Sequence, residues 1–159
     1  MNDVTNIVVS GLGGQGVLKI TDILSEVLFT QGYDVKKSEV HGMSQRGGSV
    51  SSEVRFGKKI NSPMVPAGEA DILAVLDSTQ TEVALPVLKA EGKLITPDTV
   101  PVDQLKNPKA LNTMILGALS ACLPQLPEDA FIDAINNAFP EKLRALNIEM
   151  FQLGRNSGK

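Results

Sequence analysis

The chain has 159 residues, 42% apolar and 21% charged, with a formal net charge of −3. That length fits one domain with a proper core, and the acidic balance leaves no basic face for general nucleic-acid binding. There is no apolar run of membrane-spanning length and no signal-like N-terminus, so the expected setting is cytoplasmic with no membrane partner.

In chain order, Asn6–Ser10 is a short β-branched strand that ends in Gly11-Leu12-Gly13-Gly14-Gln15-Gly16. Gly11, Gly13 and Gly16 satisfy G-x-G-x-x-G between a strand and a helix, the context that gives the pattern meaning. Such a turn lets the backbone approach a ligand closely, and the helix start beyond it offers unpaired N–H groups to an anion. The helix is expected from Gln15 to Gln31 with Gly32 as its cap, burying Val17, Leu18, Leu24, Val27 and Leu28.

A second strand, Tyr33–Val40, leads into the loop 39–49, which gathers the one histidine, His41, with Glu39, Gly42, Ser44, Gln45, Arg46, Gly47 and Gly48. A loop of this composition is costly to order without a partner and suits function better than core. Alternation from Ser49 to Gly57 predicts a third strand, with Val50, Val54 and Phe56 on one face and Ser49, Ser51, Glu53 and Arg55 on the other. Lys58–Gly68 is a proline-punctuated connection. Ala70–Asp77 then reads as a buried strand, and Ser78 or Thr79 as the cap of a helix through Lys89. Gly92–Thr96 is a further short strand. Three helical stripes follow, from Leu111 to Cys122, from Pro127 to Ala138 and from Pro140 to Gly154, with 155–159 expected to fray.

The fold class is therefore α/β: a single Rossmann-like domain over 1–159, mostly parallel, with helices on both faces and a helical C-terminal third. The lone Cys122 sits in an apolar helical pattern, where core packing is its expected role. One cysteine excludes an internal disulfide and an iron–sulfur cluster held by this chain alone.

Three chemical readings remain open at this stage. In the first, the chain is a small NAD(P)-binding domain whose Glu39 meets a ribose hydroxyl. In the second, the glycines serve only close packing of helix on strand and His41 only fixes its loop by hydrogen bonding.

The third comes from resemblance. The segments 11–17 and Ser38-Glu39-Val40-His41-Gly42-Met43-Ser44-Gln45-Arg46-Gly47-Gly48-Ser49-Val50 resemble the gamma component of the 2-oxoacid:ferredoxin oxidoreductases, above all the indolepyruvate oxidoreductase beta-subunit type. The likeness continues through Ser62-Pro63, 68–71, 112–119 and 147–154. Relatives are often longer around Lys93 to Lys109.

The resemblance implies oxidative decarboxylation of a 2-oxoacid, such as pyruvate or an arylpyruvate, to an acyl-CoA. Thiamine diphosphate with Mg2+ and [4Fe–4S] clusters would lie on partner subunits, with coenzyme A as co-substrate and ferredoxin as acceptor. This chain would bind none of those cofactors on its own and would not be active alone. Its expected contribution is a surface where Gly11, Gly13, Gly14, Gln15 and Gly16 meet Glu39, His41, Gly42, Ser44, Gln45, Arg46, Gly47 and Gly48. That surface would touch either a partner chain or the edge of coenzyme A or the diphosphate. His41 is a weak catalytic candidate, and no metal site is expected.

Overall fold

The computed structural model describes residues 4–41 and 48–158. Its strands are β1 (Thr5–Leu12), β2 (Asp34–His41), β3 (Ser49–Gly57), β4 (Ala70–Val75) and β5 (Leu88–Ile95). Its helices are α1 (Val17–Thr30), α2 (Thr81–Ala84), α3 (Leu111–Ala121), α4 (Glu128–Ala138) and α5 (Glu141–Ser157).

The sheet order is β2-β3-β1-β4-β5. β1 pairs parallel with β4, and β4 parallel with β5. β3 pairs antiparallel with both of its neighbours. Four of the five described strands therefore point the same way and β3 alone is reversed, which is how a mostly parallel sheet accommodates the hairpin-like segment from β2 to β3. One consequence matters for the site. The ends of β1, β2, β4 and β5 and the start of β3 all lie on one rim.

The helices cover both faces, but unequally. Ile7, Val9, Val54, Phe56, Ile72 and Ala74 face the main core, which α1, α3, α4 and α5 complete with Leu24, Leu28, Ile115, Phe131 and Phe151. The alternating set Val8, Leu73 and Val75 faces a small cluster closed by Val65, Ala84 and Val87. At about 25 cal/mol per Å2 of apolar surface, the larger cluster carries most of the fold's stability.

Three expectations are corrected. The helix foreseen through Lys89 is a 3-10 turn (78–80), the four-residue α2 and a second 3-10 turn (85–87) that holds Pro86. Its cap is Asp77, whose carboxylate accepts from the Thr79 N–H at 3.0 Å. β5 starts at Leu88 and so takes the residues foreseen as the helix's end. Its register against β4 is broken between Ala70 and Ile72, and a Cβ at Gly92 would strike Leu88. That irregularity hid the first half of the strand.

The third correction concerns the tail. α5 runs through Gly154 to Ser157. Gly154 is buried where α5 crosses α3: a Cβ there would stand 1.9 Å from the Met114 carbonyl oxygen, and one at Gly117 would stand 2.0 Å from that of Phe151. These glycines let two helix backbones touch, so Gly154 is a packing residue and not a terminator.

Cys122 caps α3 at its C-terminus, only partly buried. Burial raises its thiol pKa, so it remains protonated at neutral pH.

Candidate functional site

The glycine turn is built by its own side chain. Gln15 Oε1 accepts from the Leu12 N–H at 2.7 Å, while its Nε2 donates to Asp77 Oδ2 at 2.7 Å. Asp77 Oδ1 in turn accepts from the Thr79 N–H and hydroxyl. The Thr79 hydroxyl foremost, then the Gln15 amide and the Thr79 N–H, hold the Asp77 carboxyl below the usual carboxylate range. Gln15 therefore ties the end of β1 to the end of β4. Gly11 has a packing reason: a Cβ there would meet Gln15 Oε1 at 2.9 Å and Val17 at 3.0 Å.

Gly14 and Gly16 take positive φ, 89° and 84°, which L side chains rarely adopt. Gly16 is the N-cap of α1 and no side chain caps that helix. Gly13 donates its N–H to the Gly48 carbonyl at 2.9 Å. In the ladder, Leu12 pairs with Ser49, Gly11 with Val50, and Val50 with His41. The glycine turn and both ends of the segment 42–47 are thus neighbours on the rim. Ser49 Oγ donates to Gln80 Oε1 at 2.6 Å, which extends the hydrogen-bonded chain to the turn after β4.

Two cavities flank the turn. One, about 420 Å3, lies between Leu12–Gly14, the first residues of α1 and Gly48–Val50. The other, about 500 Å3, opens on the opposite side between Gly14–Gly16, Leu76, Lys109 and Asn112.

Glu39 does not join this cluster. It sits in β2, paired with Ser52, and its carboxylate meets Lys37 Nζ at 3.2 Å. The antiparallel β3 lies between β2 and β1, so Glu39 is two strands, about 9 to 10 Å, from the strand that carries the glycines. A dinucleotide site of the usual kind places that acid on the neighbouring strand. His41 ends β2 opposite Val50. Gly42, Ser44, Gln45, Arg46 and Gly47 lie outside the described residues.

Two participants escaped the sequence. Asp77 was foreseen as the last residue of a strand, although an acid followed by Ser-Thr is also a cap signal. Asn112 carries no local signal, because its partner Gly16 is 96 positions away in the chain and they meet only when α3 packs beside α1.

A profile of the family described as pyruvate ferredoxin/flavodoxin oxidoreductase matches residues 6–157. The chain is 29% identical to the indolepyruvate oxidoreductase subunit IorB of Methanothermobacter thermautotrophicus, over 94% of this chain and 95% of that one. The alignment runs to 188 positions, more than this chain has residues, so that relative carries insertions. The Thermococcus kodakarensis IorB is 30% identical over 97% of this chain and 96% of its own.

Among solved structures, the keto/oxoacid ferredoxin oxidoreductase gamma subunit of Geobacter sulfurreducens superposes with a TM-score of 0.80 at 22% identity, covering 99% of this chain and 97% of that one. The 2-oxoglutarate:ferredoxin oxidoreductase of Magnetococcus marinus gives 0.85 at 20% identity over 99% of this chain but 31% of its own, and was solved with 2-oxoglutarate, coenzyme A and succinyl-CoA. At those identities the superpositions speak for the fold. The family match over nearly the whole chain, the IorB likeness and the shared architecture lead to one conclusion: the chain belongs to the pyruvate ferredoxin/flavodoxin oxidoreductase family.

Proposed function

We propose that the chain is the gamma-type subunit of a thiamine diphosphate-dependent 2-oxoacid:ferredoxin oxidoreductase that converts a 2-oxoacid, pyruvate or an arylpyruvate, to an acyl-CoA and passes the electrons to ferredoxin. In this reading the chain owns none of the redox groups. Its one cysteine falls short of the four thiolates a [4Fe–4S] cluster needs, and the described residues hold no group of three metal-ligating side chains. Thiamine diphosphate, Mg2+ and the clusters belong to partner subunits. The chain's own work is to present the rim where Gly11, Gly13, Gly14 and Gly16 lie beside the described ends of the second polar segment, His41 and Gly48.

The observation that supports this reading is the hydrogen bond from the Gly13 N–H to the Gly48 carbonyl, which sets the glycine turn beside the C-terminal end of the second polar segment. Docking of a partner subunit is the primary use of that surface. A second use, contact with the phosphates of coenzyme A, is favoured by the uncapped start of α1 beside the 420 Å3 cavity.

Arg46→Ala in the reconstituted complex separates the two. Subunit dissociation with the coenzyme A KM unchanged supports docking; intact assembly with a raised KM supports the phosphate contact; no effect on either removes Arg46 from the surface. An NAD(P)-binding role is disfavoured by the strand between Glu39 and the glycines. Incubation with NAD(H) is expected to leave the melting temperature unmoved, whereas a ligand at 100 times its Kd adds about 2.7 kcal/mol.

A further inference from the structure

The thinly covered face of the sheet carries a groove of about 380 Å3, on the side away from α1. Val8 and Ser51 form its floor, Val65 and Ala67 one wall, and Val83 and Pro86 the other. Three apolar side chains around it are more than half exposed: Val83, Met64 beside Val65, and Val40, which pairs with Ser51 in the ladder. Exposed apolar surface gathered around a groove marks a place that a partner covers.

The walls are fixed in advance. Side chains of β2 and β3 hold the backbone of the connection 58–68, which carries Met64 and Val65. Asp34 accepts from the Ile60 N–H at 2.7 Å, and Glu53 from the Val65 N–H at 2.6 Å. Arg55 Nη1 donates to the Ser62 and Met64 carbonyls at 2.9 and 3.2 Å, and Ser38 Oγ to that of Pro63 at 3.4 Å. A segment already ordered loses little entropy when a partner arrives.

The lining also says what fits. Among the described residues Glu53 is the one charged side chain in it, and that carboxylate already accepts from Val65. An anion finds no counter-charge here, whereas an aliphatic segment matches both walls. Ser49 and Val50 line this groove and also the 420 Å3 cavity at the rim, so a single partner can reach both. In the Magnetococcus enzyme the same fold makes up 31% of a longer chain, alongside further protein.

We propose that the groove seats an uncharged aliphatic segment of the same partner subunit that docks on the rim. This rests on reading the chain as a subunit of a larger oxidoreductase, and it extends the contact from the rim across the second face of the sheet.

The affinity of the full chain for the partner subunits of the proposed complex, measured by analytical ultracentrifugation, tests it. Val83→Glu and Met64→Glu, both at exposed positions, are expected to weaken assembly about thirtyfold while the melting temperature stays that of the parent. Phe29→Glu, at an exposed apolar position at the far end of α1 from the glycine turn, is expected to leave assembly unchanged. As a second measurement, hydrogen exchange of the assembled parent is expected to show new protection over 62–68 and 81–87.

A parent chain that does not assemble at all overturns the subunit reading, and this inference with it. A parent that assembles, with Val83→Glu and Met64→Glu binding as tightly or 62–68 and 81–87 gaining no protection, overturns this inference alone. So does an equal loss in Phe29→Glu. Self-association of the parent that the two groove variants abolish, with assembly untouched, gives the groove to a second copy of the chain and also overturns it.

Discussion

Glycine does opposite work in two regions of this molecule. At the crossing of α3 and α5, Gly117 and Gly154 remove side chains so that backbones close on each other and exclude everything else. At the rim, Gly14 and Gly16 adopt conformations that hold a turn open, with cavities on both sides. The first pair builds stability. The second shapes the turn between β1 and α1. What distinguishes them is the contact each would lose or clash with, so substitutions separate the two roles.

The largest effect is expected at the crossing. Gly154→Val would drive side-chain atoms into the Met114 carbonyl, and the two helices cannot separate without opening the core around Met114, Met150 and Phe151. Overpacking against backbone is expected to cost at least about 3 kcal/mol and to appear in urea denaturation as a lowered midpoint with m unchanged. A loss under about 1 kcal/mol would mean the helices are not packed this closely.

Within the rim, Gly16→Ala and Gly14→Ala form a matched pair, since both have positive φ. A Cβ at Gly14 meets nothing within 4 Å, whereas one at Gly16 meets the Asn112 amide. The conformational penalty alone is about 1 to 2 kcal/mol and applies to both. Gly16→Ala is expected to exceed Gly14→Ala by a further ~1 kcal/mol in the same denaturation assay, and equality would remove the Gly16–Asn112 contact.

The smallest effect concerns pH. The Asp77 carboxyl is held low by Thr79 and Gln15, so its folded pKa lies below its unfolded value. Its contribution to stability is present above the unfolded pKa, near 3.9, and is lost as pH falls through the folded value. Gln15→Leu removes one of these partners. The variant is expected to lose less stability than the parent between about pH 5 and pH 3, and parallel curves would contradict the Gln15–Asp77 link.

The regions also differ in how far the sequence disclosed them. The glycine turn and the alternation of β3 are legible because each is a local pattern with one physical meaning. The idea that residues 11–16 and 38–50 share a surface came only through family resemblance, and among the described residues the sheet brings His41 and Ser49–Val50 to the rim that carries Gly11 and Leu12, because four strands run one way and β3 is reversed.

The crossing glycines were opaque for the opposite reason. Gly154 near the end of a helical stripe has the local look of a terminator, and only contact with α3, more than thirty residues away, gives it a different role. Residues 81–87 misled in the same way: a helical pattern ahead of Pro86 gave way to pairing of Leu88 with Ala70. Asn112 entered only as the first residue of the 112–119 likeness, and its place beside Gly16 depends on how α3 packs against α1.

The central claim is that the rim, and not the helical face, meets the rest of the oxidoreductase. Hydrogen exchange of the chain, alone and assembled anaerobically with the partner subunits of the proposed complex, tests it most directly. New protection is expected over Gly11–Lys19 and His41–Val50, with α4 and α5 unchanged. Protection confined to α4 and α5, with the rim exchanging as it does in the free chain, would contradict the account.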